Sequence, residues 1–301
     1  MNKEFTERLL ALHYVYPKSL QKLLPLLAED PDLSKLERKS PYELMMLLNI
    51  KRDQAEKLKA SYRHTLTFPL SETYAKHKIL PISYQHPLYP GSLLELIDPP
   101  AVLYAKGDAA LLAEPQKIAV IGSRKASAYS EKAMQKIIPP LLEKGFIIVS
   151  GLAIGADAMA HQKTIDLGGR TIAVTGSGFL HPYPKENAEL NNIIEENHLV
   201  LTEYPPYMKP LKWNFSMRNR IISGLSRGIV VTEALVKSGT LSTIEHALDH
   251  GKDIFAVPGD ISSLLSEGPH KLISEGAKPV WNGWQVLEEY QHMTAEKQWK
   301  K

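Results

Sequence analysis

The chain has 301 residues, 44% of them hydrophobic, enough for one large domain with a smaller companion and for a buried core. It contains no cysteine, which excludes disulfides, thiolate metal sites and a cysteine nucleophile and fits a reducing compartment. The formal net charge is only +3, with 15 basic against 14 acidic residues in 1–114, 18 against 18 in 115–290 and 3 against 1 in 291–301, so a polyanion site must come from local placement of bases. The first residues mix acids with bases, and no apolar run approaches the roughly 18 residues of a membrane span, so a cytoplasmic protein with no membrane partner is expected.

Residues 1–68 read as a small helical domain, with helices over Phe5–His13, Lys18–Ala28, Pro41–Leu48 and Asp53–His64. Ser40-Pro-Tyr-Glu43 spells a capping box with proline at the first helical position, which fixes the start of the third helix. The turn Leu48-Asn-Ile-Lys-Arg-Asp-Gln-Ala55 resembles a helix-hairpin-helix DNA-binding loop but lacks its glycines, and a packing or interaction module is the other reading. Residues 69–115, with Pro81, Pro87, Pro90, Pro99 and Pro100, read as an extended linking segment packed along the next domain.

From 116 to 290, apolar runs at Ile118–Ile121, Phe146–Val149, Thr171–Val174, Leu199–Leu201, Ile229–Val231 and Asp253–Val257 alternate with helical patterns. Near-continuous Val/Ile runs mean strands buried on both faces, hence an α/β fold with a doubly wound, mainly parallel sheet. The loops after those strands should converge on one edge, where open α/β sheets take ligands.

Those loops carry the chemistry. Ile121-Gly-Ser-Arg124 sets Gly122, Ser123 and Arg124 before a helix start, suited to phosphate, although Arg124 and Ser127 occupy the later glycine positions of a dinucleotide fingerprint. Ser150-Gly-Leu-Ala-Ile-Gly-Ala-Asp157 places Asp157 in a first helical turn and is followed by His161, which reads as packed or as a base. Gly176-Ser-Gly-Phe-Leu-His-Pro-Tyr-Pro-Lys-Glu-Asn187 offers Lys185 and Asn187 for phosphate or sugar and Phe179 for base stacking, with Phe179 and Tyr183 alternatively anchoring the loop. Lys237, Ser238, Gly239 and Thr240 supply donors before another helix. Between them, Phe215–Ser226 holds Arg218 and Arg220, fork-shaped donors to phosphate, around Asn219.

In order, Ile121-Gly-Ser-Arg124, Gly151–Asp157 with His161, Tyr183-Pro-Lys-Glu-Asn187, Glu203-Tyr-Pro-Pro206, Phe215–Ser226, Glu233-Ala with Ser238-Gly-Thr240, and Val257-Pro-Gly259 resemble the DprA/Smf family, the DNA-processing proteins of bacterial transformation, over residues 80–290. The resemblance implies an extended Rossmann-like domain preceded by a sterile-alpha-motif-like helical one, and no cofactor, metal or turnover. It further implies sequence-independent single-stranded DNA binding, protection of incoming DNA in natural transformation, self-association as a homodimer, and hand-over of the DNA to RecA, with a single-strand-binding protein as a further partner. Carried onto this chain, Arg124, Lys185, Arg218, Arg220 and Lys237 would neutralise the backbone, and Leu265, His270, Leu272, Ile273 and Pro279 would face the dimer or RecA. Two departures stand out: Pro269-His270 lies where the pattern often has small or polar residues, and the polar tail 291–301 stands where many members carry a winged helix, which is not expected here.

The Glu233 and Ser-Gly-Thr-Leu-Ser-Thr-Ile-Glu245 arrangement also resembles nucleoside-monophosphate phosphoribohydrolases, which makes an enzyme the alternative. The leading glycines of that motif are replaced by Val236-Lys-Ser, and Glu233 and Glu245 are expected instead to orient the arginines through ion pairs.

Overall fold

The structure, a computed structural model, describes residues 3–236, 239, 244, 247, 248 and 250–298, the last eight of these by backbone only. Five helices come first: α1 (Lys3–Val15), α2 (Leu20–Glu29), α3 (Pro41–Leu48), α4 (Arg52–Thr65) and α5 (Leu70–Lys76). Apolar residues recur at helical spacing, Phe5, Leu9 and Leu12 on α1 and Leu20, Leu23 and Leu27 on α2, and all six are buried in one cluster. The capping box forms as read: the Ser40 hydroxyl accepts from Glu43 N–H at 3.2 Å, and Glu43 Oε2 accepts from Ser40 N–H at 2.7 Å.

The sheet has nine strands: β1 (Leu80–Ser83), β2 (Val102–Gly107), β3 (Lys117–Ile121), β4 (Ile147–Ser150), β5 (Thr171–Val174), β6 (Leu199–Thr202), β7 (Gly228–Val231), β8 (Asp253–Ala256) and β9 (Lys278–Pro279). Their order is β1-β2-β6-β5-β4-β3-β7-β8-β9. Pairing is parallel from β6 through β9, whereas β2 runs antiparallel to both β1 and β6. The doubly wound, mainly parallel α/β sheet is the expected one. Segment 69–115 differs from its expected extended path, since it holds α5 and two strands that enter the sheet itself.

The strand period explains the layers. Ile118 and Val120 turn to one face of β3, where they meet α6 (Ala128–Glu143), α7 (Ala156–Asp166) and the helix Gly283–Gln298. Ala119 and Ile121 turn to the other, where they meet α9 (Lys212–Leu225) and the segment around Leu93 and Leu96. Between β5 and β6, α8 (Ala188–Asn197) packs Leu190 and Ile194 on Ala173 and Val200. The same alternation makes β2 the joint of the molecule. Its Leu103 and Ala105 belong to the sheet core, while Val102 and Tyr104 belong to the core of the helical layer. His13 Nδ1 lies 3.0 Å from the Tyr104 hydroxyl, and the Tyr74 ring packs edge-on against Tyr104 at 5.5 Å.

Candidate nucleic-acid interface

The carboxyl ends of the parallel strands form one edge, and the winding reverses at β3 and β7: β4, β5 and β6 lie to one side, β8 and β9 to the other. Such a switch opens a crevice that commonly takes a phosphate. Here it is filled from within. Glu233, just past β7, accepts at Oε2 from the Ser127 N–H (2.7 Å) and the Ser130 hydroxyl (2.8 Å) and at Oε1 from the Ser127 hydroxyl (2.8 Å), so an internal carboxylate occupies the amino end of α6. The expectation that Glu233 orients an arginine is therefore corrected. The Gly122-Ser123 turn serves the same closure: Ser123 N–H donates to the Glu233 carbonyl at 2.6 Å, and a Cβ at Gly122 would lie 2.7 Å from Ala156 Cβ.

Arg218 and Arg220 are 4% and 3% exposed, which corrects their expected place on an open anion site. Two residues apart on a helix is a rotation of about 200°, so they leave α9 on opposite sides. Arg218 turns toward the β4 and β5 loops, donating to the Gly151 carbonyl at 2.5 Å and to the Val174 carbonyl, with Asp157 facing it. Burial pushes the Asp157 carboxyl up and the Arg218 guanidinium down from their ordinary values, and each opposes the other's shift. A Cβ on Gly151 would sit 2.4 Å from the guanidinium, so a larger residue there would have to displace Arg218. Arg220 turns the other way, to Glu203 at 2.5 Å and Asp98 at 3.9 Å; burial raises Glu203, and Arg220 counters it. Asn219 is buried, 3.4 Å from the Gly239 carbonyl. His161 is packed: it is fully buried, with Nδ1 2.7 Å from the Thr171 hydroxyl and its pKa lowered to about 3 by burial and then by Arg218.

What remains open at the edge is Arg124, Lys125 and Lys185, joined by Lys209 and Lys212 from the loop after β6 and the start of α9. Arg124 lies over the Phe215 ring at 5.7 Å, and Tyr183 meets the same ring at 5.2 Å. Gly155, at φ +83°, lets its loop pass against the carbonyls of Ser123 and Arg124, where a Cβ would come within 2.5 Å. Asn187 fixes the Lys185 turn by donating to the Leu152 carbonyl at 2.9 Å. Trp213, in the first turn of α9, is 65% exposed. Phe179 is different: half-buried, it packs against both the helical-layer core and the α8 cluster, with the Lys106 ammonium 5.2 Å from its ring centre. It anchors the loop, whereas Tyr183 and Trp213 are exposed. The pair Lys212-Trp213 was the sequence signal for this part of the edge, and it was masked by the neighbouring arginines.

Lys237, Ser238, Thr240 and Glu245 lie outside the described residues; Gly239 is exposed. Of the self-association set, Leu272 is buried in the sheet core with Ile273 packed against that core, because their helix, Glu267–Ser274, turns its apolar stripe inward. That corrects the expected outward stripe. Leu265 is half-buried and its carbonyl accepts from Ala234 N–H, His270 Nε2 lies 3.1 Å from the Gly259 carbonyl, and Pro279 is exposed on β9. Just before that helix, Ile261, 94% exposed, and Leu264 are apolar and open to solvent. Among the described residues no group of three or more His, Asp or Glu could hold a metal, and no helix is long and apolar enough to cross a membrane.

An open doubly wound sheet whose carboxyl edge presents cations and aromatic rings around a self-filled crevice is a Rossmann-like fold. Residues 81–291 match the family described as DNA recombination-mediator protein A, and the chain belongs to that family. The DNA processing protein DprA of Bacillus subtilis (strain 168) is 46% identical over 210 residues, 70% of each chain. The X-ray structure of DNA processing protein A from Streptococcus pneumoniae is similar at a TM-score of 0.80 with 37% identity, covering 93% of this chain and 96% of that one. DNA processing protein A from Helicobacter pylori, whose structure concerns its single-stranded DNA binding mode, is similar at a TM-score of 0.64 with 29% identity, covering 71% of this chain and 96% of that one.

Proposed function

We propose that the carboxyl edge binds single-stranded DNA without sequence preference and that the protein, as a homodimer, protects the strand and hands it to a RecA recombinase in natural transformation. The observation that carries this reading is the Arg124–Phe215–Tyr183 cluster beside Lys185: cations for the backbone next to rings for exposed bases. A strand lies across such an edge more readily than a mononucleotide enters it, since the crevice a nucleotide phosphate would use already holds the Glu233 carboxylate. The same occupancy speaks against a phosphoribohydrolase, because a carboxylate that accepts three hydrogen bonds at a helix start is committed to structure. Family membership and the single-strand binding of the Helicobacter pylori relative support the same substrate. Self-association is assigned to the segment around Ile261 and Leu264, which stands exposed beside the inward-facing Leu272; RecA and a single-strand-binding protein are the further partners.

The test is a fluorescence-anisotropy titration of labelled oligothymidine with unlabelled duplex as competitor. Wild type binds and duplex competes poorly, while Arg124→Ala/Lys185→Ala weakens binding at least ~tenfold, about 1.4 kcal/mol. Base release from nucleoside monophosphates with no oligothymidine binding would replace this reading with the hydrolase.

A further inference from the structure

The helical layer carries a groove of about 820 Å³ that the DNA edge does not use. It runs between the end of α1, the outer side of α2 and the α3–α4 hairpin, and the Leu48-Asn-Ile-Lys51 turn forms one of its walls. Asn49 takes a left-handed conformation there, at φ +50°, which turns the chain so that Ile50 joins the groove lining. The floor is aliphatic: Leu48 and Leu58 are buried, and Val15, Leu47 and Ile50 are half-buried.

The charges around that floor are all of one sign. Lys18, Lys22 and Lys57 are exposed in the lining, and no carboxylate lines it. Among the described residues none of the three is in an ion pair within 4 Å, and Glu56, next to Lys57 in the chain, is held by Arg52 at 3.1 Å. Apolar surface ringed by unpaired ammonium groups calls for an occupant that is both apolar and acidic.

Nucleic acid meets the charge but not the floor. Bases stack on aromatic faces. The groove has one aromatic ring, Tyr16, which is half-buried with the Lys18 ammonium 5.7 Å from its centre. The first free N–H of the hairpin turn is also taken, since Lys51 N–H donates to Gln54 Oε1 at 3.0 Å. A peptide meets both: aliphatic anchors at i, i+3, i+4 and i+7 fill such grooves, and carboxylates on the flanking positions meet a basic rim.

We propose that this groove docks a short acidic segment of a partner protein, its aliphatic side chains set against Val15, Leu47 and Ile50 and its carboxylates against Lys18, Lys22 and Lys57. None of the residues that line the groove is among the cations and rings of the DNA edge.

The test uses the full chain and a fluorescein-labelled peptide of about 14 residues with leucine at i, i+3, i+4 and i+7 and Asp or Glu elsewhere, against a peptide of the same composition with the leucines scattered. The patterned peptide should bind at least ~tenfold more tightly than the scattered one, weaken with salt, and shift the Ile50 methyl signal in the spectrum of the wild-type protein. Lys22→Glu/Lys57→Glu should lose at least ~tenfold in peptide affinity with oligothymidine affinity and thermal midpoint unchanged. Equal binding of the two peptides, or no shift at Ile50, overturns the proposal. So does a charge-reversed variant that keeps the peptide and loses oligothymidine, which would make the groove a nucleic-acid surface; the wild-type spectrum decides independently of any variant's folding.

Discussion

Arg124 is exposed at a loop tip, Arg218 is bonded to carbonyls under the loops, and Arg220 is paired with a buried carboxylate, although all three read alike in a sequence. Their substitutions should separate accordingly. Arg220→Ala leaves Glu203 buried without its partner and is expected to lower stability by about 3–5 kcal/mol in urea unfolding. Arg124→Ala should stay within about 0.5 kcal/mol of wild type in the same measurement and show its effect in oligothymidine affinity. Glu233→Gln keeps the shape but not the charge at the amino end of α6, and a loss of about 1–3 kcal/mol with oligothymidine affinity nearly unchanged is expected. Intact stability with binding abolished would make Glu233 part of the interface instead. At this scale residue types were legible in the sequence and their burial was not. Residue type marks Arg218 and Phe179 as candidate ligands of DNA, but only the helical rotation of α9 and the packing of the loop on the helical layer show that they face inward.

Elements were more legible, because they follow from period and caps. Val/Ile runs located β3 to β8, and the Ser40 to Glu43 box located the start of α3. Ser40→Ala removes an observed cap and should cost about 1 kcal/mol by thermal denaturation, while Glu43→Gln, which retains an acceptor for the Ser40 N–H, should cost less. What the period did not show was the role of 69–115. Its prolines suggested a strap, yet Val102–Ala105 alternates between two cores, and a four-residue alternating run that follows two prolines gives no sign of which layers it will join. The same limit applies to Glu267–Ser274: its stripe was evident, and whether the stripe met a partner or the sheet depended on the third dimension.

Across the molecule, sheet and helical layer share β2, and buried histidines tie stability to pH. His13 and His161 are neutral in the folded protein, each lowered by burial to about 3 from an ordinary value of 6.5. Between those values the unfolded chain binds more protons, so their contribution is complete above pH 6.5 and is lost as pH falls, at up to about 1.4 kcal/mol per pH unit for each. Asp157 and Glu203, raised by burial, act in the opposite sense above their ordinary values of 3.8 and 4.5, where the folded state holds the extra protons. Urea unfolding from pH 7.5 to 5.5 should therefore show falling stability, and His161→Gln should make that fall shallower even if its baseline is lower.

The edge as a whole is tested most directly by the salt dependence of oligothymidine binding in wild type and Arg124→Ala. With about four phosphates neutralised by the exposed cations, log K should fall against log salt with a slope near −3, and the variant's slope should be shallower by about 0.7. A slope near zero, or one that Arg124→Ala leaves unchanged, would contradict a backbone-tracking edge built on Arg124 and its neighbours.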